Sequence, residues 1–140
     1  MVARVSPKTF IDTHYVVALI NQRDQHHAAA TEISATYVGM PLLTTDAVLI
    51  EIGNALARTF KGQAVEVLEY FHRAANIEVV QLTPTLFDAA IALYRAHADK
   101  AWGMTDCISF VVMRQAGIQE ALTYDRHFTQ AGFNALLGKK

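Results

Sequence analysis

The sequence predicts a three-layer α/β/α domain around a short, mostly parallel sheet. Three observations carry that reading. Short apolar strands alternate with helix-length amphipathic segments along the chain. Such alternation implies a parallel sheet covered on both faces. At 140 residues, 52% of them hydrophobic and 18% charged, the chain can bury a full core as one domain over 1–140.

The elements follow in order. Thr9 to Ile11 reads as a strand closed by Asp12, and 14–22 and 26–38 read as helices. Gly39 and Pro41 stop the second helix, and Leu42 to Thr45 is long enough only for a strand. Thr45-Asp46 offers a cap for a helix to about Phe60. Gly62 separates it from a helix over 63–75 with Val67, Leu68 and Phe71 as its apolar face. IEVVQL at 77–82 is the clearest strand, and Thr83-Pro84 opens a helix over 85–98. WGMTDCISFVVM, from Trp102, starts the next helix, which ends at Gly117. ALTY at 121–124 is a strand, and a last short one falls within 133–137.

Composition excludes several classes. No apolar run reaches the roughly 18 residues a membrane span needs, and MVARVSPK lacks the apolar stretch of a secretory leader. A single cysteine, Cys107, excludes an internal disulfide framework and fits a reducing cytoplasm. The formal charge of −1 gives no bulk basic field, so any nucleic-acid contact must come from a local patch.

Four acids map to one edge of the expected sheet, where ligands bind in such folds. Asp12 follows the first strand and Asp125 follows ALTY. Asp106 opens a helix that must run back against the sheet to feed ALTY, so its start lies at the same edge. Glu51 sits in the second turn of the helix after LLTT, on a polar stripe with Asn54 and Arg58. Each acid also has a structural reading. Asp106 with Thr105 forms a capping pair, Asp12 caps a helix, Asp125 bonds its own turn, and the Glu51 stripe is a solvent face.

Together they are harder to explain structurally. Two carboxylates about 4 Å apart repel by ~4 kcal/mol at an effective dielectric of 20. A carboxylate cluster must take up protons or hold a cation, and a cluster of oxygen donors suits Mg²⁺ or Mn²⁺. The matching chemistry is metal-assisted phosphodiester hydrolysis. His26 and His27 read as a solvated helix start, since adjacent positions point about 100° apart. Asp46 reads as a cap, Asp88 and Asp99 as surface acids, and Trp102, Phe128 and Phe133 as packing residues.

FIDTHYVVALIN, LIEIGNALAR, GMTDCISFVVMRQAGI and ALTYDRHFTQAGF together resemble the PIN domain family, in particular its VapC-type toxins. The resemblance runs from Thr9 to about Leu137. It implies a Mg²⁺- or Mn²⁺-dependent endoribonuclease, the toxin of a type II toxin–antitoxin pair. It places the metal and catalytic acids at Asp12, Glu51, Asp106 and Asp125, with Thr13 and Thr105 as supporting hydroxyls. His14 stands where the family often has Ser, Asn or Thr, which leaves its role open. A homodimer and a cognate antitoxin covering the acidic groove are further implications. Arg58 and Arg126 are candidate contacts to RNA phosphates; ion pairs with the acids are the alternative for both. Two other readings compete: a non-catalytic PIN-like RNA- or protein-binding module, and a phospho-receiver domain. The receiver wants a lysine after its last strand, and none lies between 100 and 139.

Overall fold

The computed structural model describes residues 8–138; the reading of the first seven residues as lacking a leader lies outside them. Strands and helices alternate as β1 (Thr9–Ile11), α1 (Thr13–Ile20), α2 (His27–Tyr37), β2 (Leu42–Thr45), α3 (Asp46–Leu56) and α4 (Lys61–Arg73). They continue as β3 (Ile77–Val80), α5 (Pro84–Ala96), α6 (Met104–Ala116), β4 (Glu120–Leu122), α7 (Arg126–Gln130) and β5 (Asn134–Ala135).

All five described strands pair in parallel, in the order β3-β2-β1-β4-β5. The expected "mostly parallel" sheet is therefore parallel throughout. β1 and β2 are buried at every position, as central strands covered on both faces must be. From β1 the chain moves one way to β2 and β3, then crosses to β4 and β5 on the other side. The crossovers from β1 therefore run in opposite directions; α1 packs on α2 and α3, α3 packs on α4, and α5 packs on α6. The reversal lies between β1 and β4, and ligands in such sheets bind outside the carboxyl ends at that point.

α6 supplies the central packing of its face. Its Phe110 is fully buried, edge-on to Trp102 at 5.1 Å and to Phe128 at 5.0 Å between ring centroids. The expected packing roles of Trp102, Phe128 and Phe133 hold, since all three are buried. Gly117 ends α6 with φ of 69°, a left-handed conformation that costs glycine little. The Ile118 amide then returns to the Met113 carbonyl at 2.8 Å, turning the chain into β4.

Several boundaries shift. Helix α3 stops at Leu56 rather than near Phe60, so Arg58 lies beyond its end. The short α7 was not anticipated, because a five-residue helix carries too little periodicity to register. Thr45 caps α3 by accepting the Val48 amide at 3.1 Å, whereas Asp46 accepts the Leu82 amide and ties α3 to the end of β3. His26 and His27 are half-buried rather than solvated. His26 stacks on Tyr124 at 3.6 Å, and His27 Nδ1 lies 2.8 Å from the Ala18 carbonyl. No described helix is long and apolar enough to cross a membrane.

Candidate metal centre

The acids meet at the β1/β4 reversal. Asp12 leaves β1 with its amide on the Leu122 carbonyl of β4 at 3.3 Å, which fixes the two strand ends together. Its side chain is 3% exposed, and the buried Thr123 hydroxyl donates to Asp12 Oδ2 at 2.8 Å. The same hydroxyl accepts the Asp125 amide at 3.0 Å. Thr123 thus positions one acid through its side chain and another through its backbone. Asp125 stands at the head of α7, where Oδ1 accepts the His127 amide at 2.9 Å.

Asp106 arrives on α6. It was expected to share an N-cap with Thr105, but the cap residue is Gly103 and Asp106 is the third helical residue. Its Oδ2 accepts the Gly103 amide at 3.2 Å and faces His127 Nδ1 at 3.0 Å. The reach back to the cap locks the side chain's direction. Burial pushes the Asp106 carboxyl up from its ordinary value, and the Gly103 and His127 bonds oppose that. The charges of Asp12 and Asp125 add to the upward push, which places all three carboxylates in one field.

Glu51 joins through a hydroxyl. Thr13, buried in the first turn of α1, donates to Glu51 on α3. Thr105 enters the described hydrogen bonds only through its carbonyl, which accepts from Ser109. Arg58 and Arg126 are exposed, and neither pairs with an acid among the described residues.

Histidines also enter the cluster, so the all-carboxylate picture needs correction. His14 Nδ1 lies 3.7 Å from Asp12 Oδ2 and 3.9 Å from Asp125 Oδ2, ion-pair distances rather than hydrogen bonds. Its pKa is pushed up to about 9: the facing Asp12 carboxylate is the main cause, burial opposes it, and Asp125 and Glu51 add. The sequence leaves the role of His14 open and does not single out His127. Thr123 was missed altogether. Its signal was present, two residues before Asp125 at the buried end of a strand.

The donor set fits a hard cation. Two groups, Asp12–His14–Asp125 and Asp106–Asp125–His127, each offer ligand atoms within 4.8 Å of one another. Among the described hydrogen bonds, each of the three aspartates has one oxygen engaged and one without a donor. No buried side-chain oxygen or nitrogen among the described residues lacks a partner, so those remaining oxygens face open space.

A parallel sheet with this topology and an acidic centre at its reversal define a PIN domain, and the chain belongs to that family: the family profile matches residues 9–134. Two proteins named 23S rRNA-specific endonuclease VapC20, from Mycobacterium tuberculosis strains CDC 1551 / Oshkosh and ATCC 25618 / H37Rv, are similar to it. Each is 30% identical over 124 residues, which cover 89% of this chain and 94% of theirs. The crystal structure of M. tuberculosis VapC20, described as a sarcin-ricin loop cleaving toxin, matches with a TM-score of 0.82. That likeness spans 90% of this chain and 96% of the crystal chain at 29% identity.

Proposed function

We propose that the protein is a metal-dependent endoribonuclease that hydrolyses RNA phosphodiester bonds as the toxin of a type II pair. The observation that carries this is the convergence of Asp12, Asp106 and Asp125, each with one oxygen held by the protein and one left for a ligand. We assign the metal to these three, with Glu51 completing the set or orienting the attacking water. Mg²⁺ is the first choice and Mn²⁺ the second, because carboxylate oxygens dominate the donors. Such an ion, when bound, would supply Lewis-acid stabilisation of phosphoryl oxygens and lower the pKa of a coordinated water.

The chain's own residues set the stage for that chemistry. Thr123 and Thr13 fix the Asp12 and Glu51 carboxylates by hydroxyl donation, and Gly103 fixes Asp106. Protonated His14 balances the acids when no cation is present, and a cation between the acids would displace that charge. The relatives' names support 23S rRNA, and its sarcin-ricin loop, as the first substrate to try. The same likeness supports a cognate antitoxin and a cytoplasmic location. Exposed Phe87 and Tyr94, seven residues apart on α5, support a homodimer through that helix.

The test is incubation of the purified, antitoxin-free protein with ribosomal and mixed RNAs in Mg²⁺, Mn²⁺ or EDTA, beside Asp106→Asn. Cleavage that needs the ion and vanishes in the variant is expected. Cleavage persisting in EDTA would overturn the metal assignment. Binding without cleavage of any RNA would favour the non-catalytic module.

A further inference from the structure

Helices α1 and α3 lie side by side. At one end Thr13 bonds Glu51 beside the acids, a pairing across 38 residues. At the other end a cleft of about 520 Å³ opens between the α1–α2 and α3–α4 turns. It is lined by Asn21, Gln22, Arg23, Thr59, Phe60 and Gln63. Asn21 follows the last residue of α1 and Thr59 lies in the turn after α3, so the cleft sits at the ends of the two helices away from the acids. Along α1, whose 8 residues rise about 1.5 Å each, the cleft lies ~12 Å from the Thr13–Glu51 contact. The path between is polar: Asn54 follows Glu51 at helical spacing on α3, and Arg58 lies just beyond the helix end, both exposed.

The lining has the chemistry of a nucleotide site. Arg23 is exposed, carries a fixed positive charge, and has no ion pair among the described residues. Gln22 and Gln63 present exposed amides, which both donate and accept and so suit base edges. Phe60, half-buried against the core, gives an aromatic wall of the kind bases stack on. Among the lining residues none is acidic, in contrast to the centre itself. The Asn21 side-chain oxygen accepts the Arg23 amide at 3.0 Å, which shapes the turn at the cleft.

We infer that this cleft is a second RNA subsite, which takes an unstacked nucleobase and its phosphate from the strand whose scissile bond lies at the acids. The inference rests on the ribonuclease reading and deepens it. It gives the chain a means of reading nucleotides away from the cut, through Gln22, Gln63 and Phe60 rather than through the acidic centre. Arg58, beside Thr59 in the chain, would track the intervening backbone.

The test uses full-length protein and a labelled, mixed-sequence single-stranded RNA of about a dozen nucleotides, in EDTA so that no cleavage occurs. Arg23→Ala/Gln63→Ala removes two exposed side chains, and an unchanged melting temperature checks folding. Affinity is expected to fall about tenfold, equivalent to ~1.4 kcal/mol. The salt slope should flatten by about 0.7, one phosphate contact on a single strand. RNA carrying 4-thiouridine should crosslink to peptides containing Phe60 or Gln63. Equal affinity with crosslinks elsewhere would overturn the subsite. So would protection of the cleft by a copurified protein segment with RNA binding unaffected. A separate arm follows wild-type hydrolysis of bis(4-nitrophenyl) phosphate in Mn²⁺, a diester too small to span both places. Loss of that activity would point to failure of the nuclease reading rather than of the subsite.

Discussion

Replacing Asp106 by Asn tests the metal centre through stability, without needing the substrate. Asparagine keeps the size and an oxygen for the Gly103 amide, but removes the charge. Asp106 and Asp125 place ligand atoms within 4.8 Å of each other, so their repulsion is about 3.5 kcal/mol at an effective dielectric of 20. The net relief is smaller than the bare repulsion, because His127 and Gly103 already favour the Asp106 carboxylate. The direction follows from the carboxyl's upward displacement. A carboxyl whose pKa is raised on folding destabilises the fold at pH values above that pKa, and the penalty fades as pH falls through it. At neutral pH in EDTA the variant should therefore melt higher than wild type.

With the ion present the order reverses. A site filled at a hundred times its Kd stabilises by about 2.7 kcal/mol. For a chain of this size that is roughly 8–13 °C, at about 3–5 °C per kcal/mol. Wild type should show this gain in Mg²⁺ or Mn²⁺, and Asp106→Asn should lose most of it. Thermal melting in EDTA, Mg²⁺ and Mn²⁺ reads both effects in one experiment. Equal ion-dependent gains in the two proteins, with equal melting in EDTA, would refute the assignment of Asp106 to the metal.

Other perturbations probe the surrounding groups. His14 is raised on folding from 6.5 to about 9, so its stabilisation is present below pH 6.5 and is lost as pH rises through about 9. Metal-free stability should decline across that window and decline less in His14→Gln, a modest effect because the imidazole is half exposed. Ion binding at pH 7.5 should also release protons from wild type, measured in weak buffer, and fewer from His14→Gln. Thr123→Val removes the hydroxyl that holds Asp12 and the Asp125 amide, and should cost ~2–3 kcal/mol while weakening ion affinity. Thr123→Ser, which keeps the hydroxyl, should restore most of both in melting and ion titrations. Arg126→Ala should weaken RNA binding more at low salt than at high, as read by anisotropy across a salt series.

The acids were legible from the sequence because strand ends are easy to find and the carboxyl edge of a parallel sheet is one place. Asp12 and Asp125 needed only TFI and ALTY to be strands, and Asp106 needed only its helix to run back to β4. What the sequence did not show lies in contacts across elements. Thr123 reads as an ordinary strand residue until the β1–β4 pairing brings it beside Asp12, 111 residues away. His127 looks like a loop residue until α7 forms and turns its ring back to Asp106. The His26–Tyr124 stack likewise joins the α1–α2 turn to the end of β4, a pairing no local pattern announces.

These contacts also explain how a charged cluster survives beside a dense apolar core. The elements that deliver the acids are anchored by groups carrying no charge: β1 is fully buried, and α6 buries Cys107, Ile108, Phe110, Val112 and Met113 directly after Asp106. Moving Asp106 away from its neighbours would drag that face out of contact, and burying one such side chain is worth ~1.5–3 kcal/mol. Several together outweigh the ~3.5 kcal/mol repulsion between neighbouring carboxylates. The acids therefore cannot relax apart, and their mutual repulsion remains as standing affinity for a cation. Phe110→Leu should loosen this anchor and weaken ion binding although the side chain touches no ligand atom, because it packs between Trp102 and Phe128 on the helix that carries Asp106. Ion affinity unchanged in a variant that melts lower would show that the carboxylates are held by their own hydrogen bonds instead.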